Sequence, residues 1–213
     1  SRLTESALRP GRSSSRLEDL VRRLHKEFDA MVEQAFASLP GDGPACTAGC
    51  DHCCRTLRIT VSPVEIFTIS HRLRQTQGAD PALDERLARF IAHCSQTESP
   101  VDPTARAADR PCPLLDRGLC VVYSSRPLAC RGCVSADAAL CAACDDERPV
   151  PRSTLHQLGA AAMLQGVTDA LDRLGLAGHP TELRDGLVPA LKDEQAEKRW
   201  LRGEDVLPPY QPR

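Results

Sequence analysis

Four thiols in nine residues, Cys46-x3-Cys50-x2-Cys53-Cys54, are the part of this sequence best equipped for chemistry. Spacings of two or three residues let one turn point two sulfurs at the same ion, so the run reads as part of a metal site. Gly41, Gly43, Pro44 and Gly49 surround it, a setting that would leave uncoordinated thiols open to reaction. Cys53 and Cys54 are adjacent, and neighbouring side chains diverge in helix and strand alike, so the two are not expected to bind one ion. One can close a first site while the other reaches a second metal, another iron of one cluster, or no metal.

A second set follows: Cys112-Pro113, Cys120, then Tyr123-x2-Arg126-Pro127-x2-Cys130-Arg131. Gaps of seven and nine residues are too long for local chelation, so these thiols matter only if the fold returns them to the Cys46 loop. Cys130-x2-Cys133-x7-Cys141-x2-Cys144 also reads by itself as a four-thiolate zinc site, with Cys141 and Cys144 on one face of a short helix. The two readings compete for Cys130. Cys94 falls on the apolar stripe Leu83, Leu87, Phe90, Ile91 and is expected to act as a small buried hydrophobe. Of the eleven cysteines ten then remain, enough for two four-thiolate sites with two left over.

Taken together, the N-terminal cluster, Cys-Pro, and C-x2-Y-x2-R-P-x2-C-R resemble the YkgJ-type cysteine-cluster family, described as a zinc- or iron-chelating domain. The resemblance covers about residues 46 to 131 and implies metal binding by Cys46, Cys50, Cys53, Cys54, Cys112, Cys120 and Cys130. The cysteine motif is also similar to that of flagellin lysine methylases, associated with a 4Fe-4S cluster. The family tends to place an aromatic residue shortly after the final Cys-Arg, where this chain reads Cys130-Arg131-Gly132-Cys133.

The cofactor expected is an iron–sulfur cluster, with 4Fe-4S favoured, or Zn2+. Cys112-Pro113 and the surplus of thiols favour the cluster; the absence of a ferredoxin spacing and the short knuckle at Cys141 favour zinc. Either centre is anionic, so cations and N–H donors near sulfur would stabilise it, and Arg126 and Arg131, inside the motif, are the candidates. Arg55 reads as ordinary surface arginine, His52 as a neutral exposed imidazole, and Tyr123 as a core contact with a bonded hydroxyl. A methyltransferase-like, cluster-dependent enzyme is an alternative, but no glycine-rich cofactor loop follows a convincing strand. A copper(I) or zinc buffer is another, although glycine and proline surround most of the thiols.

These thiols need a scaffold. The chain of 213 residues is long enough to bury roughly 70% of its unfolded surface, and its 41% hydrophobic, 3% aromatic composition points to a core of Leu, Ala, Val and Ile. The fold expected is mainly α, a helical scaffold around a cysteine-rich loop centre with at most short β-strands. Residues 1–14 read as a disordered end, 15–205 as one helical domain with its cysteine centre at 46–144, and 206–213 as a polar tail.

A capping box at Ser15-Arg16-Leu17-Glu18 opens a helix striped by Leu17, Leu20, Leu24, Phe28, Met31 and Ala35, stopped by Pro40-Gly41. Ser62-Pro63-Val64-Glu65 opens a second, to about Gln77; Asp80-Pro81 a third; Thr154 a fourth, to about Leu174, followed by a kinked or divided pair around Pro189. Short strands are expected within Leu57–Val61 and Cys120–Tyr123.

With 27 basic and 29 acidic residues, a net charge of −2, no general attraction to nucleic acid or acidic membranes is expected. No apolar run approaches the roughly 18 residues that cross a bilayer. Many thiols without a secretory signal point to a reducing compartment, the cytoplasm. The partner expected is the metal ion or cluster itself; no residue singles out a protein partner.

Overall fold

A computed structural model describes residues 1–9, 11–37, 45–47, 49–96, 111–143 and 153–211. The architecture is mainly α, as the sequence predicts: ten helices among the described residues, with strands of two residues each. In chain order these are α1 (Arg2–Leu8), α2 (Ser14–Ala37), α3 (His52–Thr56), β1 (Thr60–Val61), α4 (Pro63–Gln75), α5 (Pro81–Gln96), β2 (Leu115–Asp116), β3 (Leu119–Cys120), α6 (Leu128–Arg131), α7 (Ala138–Ala142), α8 (Thr154–Arg173), β4 (Thr181–Glu182), α9 (Leu183–Lys192) and α10 (Ala196–Leu201).

Helix α4 is the centre of the molecule. Every residue from Pro63 to Ser70 is buried, so this helix is covered on all sides, by α2 on one flank and α9 on another. Its start is the expected capping box with Pro63 in the first turn, where a missing N–H costs nothing. Phe67 meets Trp200 of α10 with ring centroids 5.3 Å apart, and the indole Nε1 donates to Ala177 O at 2.8 Å. Leu17, Leu20, Leu24 and Phe28 are buried as the stripe of α2 predicts, but Met31 is exposed.

Three expectations are corrected. Residues 2–8, read as part of a disordered end, form α1, which buries Thr4 and Leu8 against α2 and α8. Helix α2 begins at Ser14, so Ser15 lies inside it and Glu18 sits 2.7 Å from His71 of α4 instead of closing a capping box. Within the polar tail, Leu207 is buried and Tyr210 N donates to Pro180 O at 2.8 Å. Pro40-Gly41, Cys144 and the side chain of Cys94 lie outside the described residues.

Two small antiparallel ladders set the site. β1 pairs with β4, Thr60 opposite Glu182 and Val61 opposite Thr181, which carries the start of α9 to the cysteine centre. β2 pairs with β3 through a two-residue turn at Arg117 and Gly118, both at positive φ, the geometry whose twist suits a tight hairpin. The strand expected at Cys120–Tyr123 ends at Cys120, and Tyr123–Ser125 is a single 3-10 turn.

Candidate metal centre

The cysteines reach one region from four directions. Helix α3 carries Cys53 and Cys54 in its first turns, Cys112 precedes the β2–β3 hairpin, Cys120 ends it, and Cys130 lies in α6. Cys112 N donates to Cys54 O at 2.7 Å, which fastens the second motif to the first. Cys50, Cys53, Cys54, Cys112, Cys120 and Cys130 all line one cavity of about 70 Å³. Its remaining wall is apolar, with Leu57, Ile59, Leu114, Val122 and Leu183, except for Arg126, Glu182 and Arg184.

Several sulfurs are cradled by backbone N–H groups. Ser135 N donates to Cys46 Sγ at 3.3 Å, and the backbone N–H groups of Leu114, Val122 and His52 lie where they favour the thiolates of Cys112, Cys120 and Cys50. Such donors stabilise thiolate in metal-binding turns. Burial works the other way: it pushes the Cys112 thiol up to about 11 and raises Cys120 and Cys130, and the neighbouring thiols raise Cys130 further. Contact with Cys53 first, and burial second, raises Cys54; hydrogen bonding from Cys133 and then Cys54 lowers Cys53. In a buried, thiol-rich cavity of this kind a bound cation makes ionisation of the thiols favourable. The donor set therefore fits a thiophilic metal.

The thiols of Cys53 and Cys54 touch each other and both line the cavity, so the adjacent pair does not diverge as the sequence predicts. Cys54 faces Cys112 and Cys130, whereas Cys53 also touches Cys133. Cys130 lines the cavity, with the thiols of Cys112, Cys53 and Cys120 near it. Cys133 and Cys141 are buried outside the cavity lining, beside the Cys46 loop. No group of three or more Cys, His, Asp or Glu side chains among the described residues is arranged to hold an ion. The cavity thiols ring a space; they do not converge on a point.

Arg126 lies on the cavity wall with its guanidinium 4.5 Å from the centre of the Tyr123 ring, and its charge favours the Cys53 and Cys120 thiolates. Tyr123 is exposed, which corrects the expectation of a core contact. Arg131 turns away from the sulfurs. It donates to both oxygens of Asp29 on α2 at 2.9 and 2.7 Å and to Ser124 O at 2.8 Å, clasping the Cys120–Cys130 loop onto α2.

Four contributors are no part of the cysteine motif. Glu182 and Arg184 arrive through the β1–β4 ladder; burial raises the Glu182 carboxyl, which caps α9 by accepting Arg184 N at 2.8 Å. Glu65, legible as a capping residue, uses its other oxygen to accept Leu128 N at 2.7 Å and so fixes the helix that bears Cys130. Gly132 lets α6 approach α8: a Cβ there would meet Ala160 Cβ at 2.7 Å and His156 O at 2.9 Å. Gly132→Ala is expected to cost about 1–3 kcal/mol, because backbone on both sides must move. Urea unfolding measures the loss, and an unchanged midpoint would remove the close packing from the account.

Residues 45–146 match the model of the CxxCxxCC family, described as "Putative zinc- or iron-chelating domain". This stretch, a little under half of the chain, is similar to that family. No curated protein and no solved structure matches the chain. The matched stretch holds all eleven cysteines and omits α8 to α10, so Glu182 and Arg184 reach the cavity from outside it. No helix among the described residues is long and apolar enough to cross a membrane.

Proposed function

We propose that the cysteine-cluster domain binds an iron–sulfur cluster, of the 4Fe-4S type, in the cavity through Cys54, Cys112, Cys120 and Cys130, with Cys53 at its edge. One observation carries this reading: thiols from separate segments surround a space without converging. Four thiolates on one zinc at about 2.3 Å would stand roughly 3.8 Å from each other, around a point. A cavity of about 70 Å³ is several times the roughly 10–15 Å³ that one water-sized occupant needs. Ligands of a polynuclear cluster bind different irons and are spread around such a volume.

Bound there, the cluster supplies one-electron chemistry or a cross-link between segments. The chain's own part is to exclude water with Leu57, Ile59 and Val122, offer N–H groups to sulfur, and balance negative charge with Arg126 and Arg184. Many thiols assigned to metal binding suit a reducing compartment such as the cytoplasm.

The test is purification without oxygen or added metal, followed by metal and sulfide analysis and a visible spectrum of one sample. Brown protein with iron and sulfide is expected. Colourless protein with zinc alone would replace the cluster by a zinc site in the same cavity.

A further inference from the structure

A groove larger than the cysteine cavity, and without a thiol in its lining, runs between α2, α4 and the Tyr123–Ser125 turn. Its volume of about 660 Å³ falls within the roughly 300–1,000 Å³ of sites that enclose small molecules. Arg22 and Lys26 stand one turn apart on α2, while Thr68, Arg72 and Gln75 share one face of α4. Most charges of the lining are already used: Asp29 by Arg131, Glu18 by His71 at 2.7 Å, and Arg22 by Asp19. Lys26 and Arg72 form no ion pair among the described residues, and Arg72 Nη1 donates to the neutral Ser125 Oγ at 3.2 Å. The remaining acid, Glu33, lies two turns from Lys26, about 10 Å further along α2. His25 in the lining is 5% exposed, and its Nε2, 4.0 Å from Glu65 Oε1, has no hydrogen-bond partner.

We propose that this groove binds a small, hydroxyl-bearing phosphate ester, a sugar or polyol phosphate. Two uncommitted cations and the Ser125 hydroxyl suit a phosphate, whose free oxygens all accept hydrogen bonds and carry charge. Thr68, Gln75 and Ser124 offer neutral donors and acceptors to the hydroxyl groups of the ester. No Phe, Tyr or Trp lines the groove among the described residues, so a nucleotide base has no such ring to stack on. Inorganic phosphate alone would leave most of the volume unfilled. Ser124 and Ser125 lie between Cys120 and Cys130, so a bound ester also ties that segment to α2 and α4. Slower loss of metal from the cavity follows from that tie and rests on the metal reading; binding of the ester does not.

The test is calorimetric titration of the full chain, purified anaerobically, with glucose-6-phosphate, glycerol-3-phosphate, inorganic phosphate and adenosine monophosphate. One equivalent of a sugar or polyol phosphate is expected to bind, more tightly than inorganic phosphate or the nucleotide. Lys26→Gln with Arg72→Gln should weaken that binding by about tenfold or more, through the loss of charge-assisted contacts. Both side chains are exposed, so the unfolding midpoint without ligand should stay where it is. No binding of either ester, tighter binding of the nucleotide, or undiminished binding in the double variant overturns the proposal. Where metal is present, its transfer to a chelator should slow once the ester is bound, and an unchanged rate would overturn the tie between groove and cavity. Ester binding to a chain that holds neither iron nor zinc would leave the groove standing and remove the cavity reading alone.

Discussion

Cys112→Ser combined with Cys130→Ser is expected to empty the cavity of metal and to lower the stability of the chain by about 4 kcal/mol or more, the stabilisation given by a ligand at a thousand times its Kd. Serine nearly matches cysteine in size, so the loss comes from the missing ligands. The reference state matters as much as the bound one: without metal, burial raises the thiols of Cys112, Cys120 and Cys130, and each must shed a proton to bind. Affinity should therefore fall as pH falls, with protons displacing metal. Metal analysis and urea unfolding of the two chains, each measured at two pH values, check both claims. Full metal content in the double variant would withdraw these two ligands.

Much of this arrangement is legible in local sequence, and what is not has a common cause. The start of α4 follows from Ser62, Pro63 and Glu65 because capping is settled within one turn. Which cavity Cys130 enters does not follow, because α6 is placed by Glu65, far back in the chain, and by the close approach of Gly132 to α8. Arg131 lies inside the motif, yet its direction is set by Asp29 on another helix, so motif membership misassigned it. Glu182 and Arg184 come through a two-residue ladder with no pattern of their own. Tertiary pairing decides each of these, and periodicity carries no record of it. Helices α2, α4, α5 and α8 follow from stripes and caps, whereas α1, α3 and α6 required the fold.

Glu65 is where scaffold and site are joined, and its replacement is the second large effect. The carboxylate is wholly enclosed, yet it accepts Ser62 N at 2.9 Å, Ser62 Oγ at 2.7 Å and Leu128 N at 2.7 Å, with His25 Nε2 at 4.0 Å. Burial opposes its ionisation, but His25 and the Leu128 and Ser62 donors outweigh that and lower its pKa below the usual 4.5. A lowered carboxyl stabilises the fold above the unfolded pKa, and that stability is lost as pH falls through the folded value. Glu65→Ala leaves two buried N–H donors without a partner, at about 1–3 kcal/mol each, for an expected loss of about 3 kcal/mol. Glu65→Gln keeps the shape but brings an amide against one donor and carries no charge. It should lose less, and its stability should decline less between pH 6 and pH 3 than that of the unsubstituted chain, taking pH 6 and pH 3 as roughly bracketing the carboxyl titration. Because Leu128 is released in both variants, α6 loosens and the cavity should hold metal more weakly, although neither variant removes a thiol. Urea unfolding across that pH range, with metal content measured in parallel, separates the outcomes. An acid limb unchanged in Glu65→Gln would mean that Leu128 is held by something other than this carboxylate.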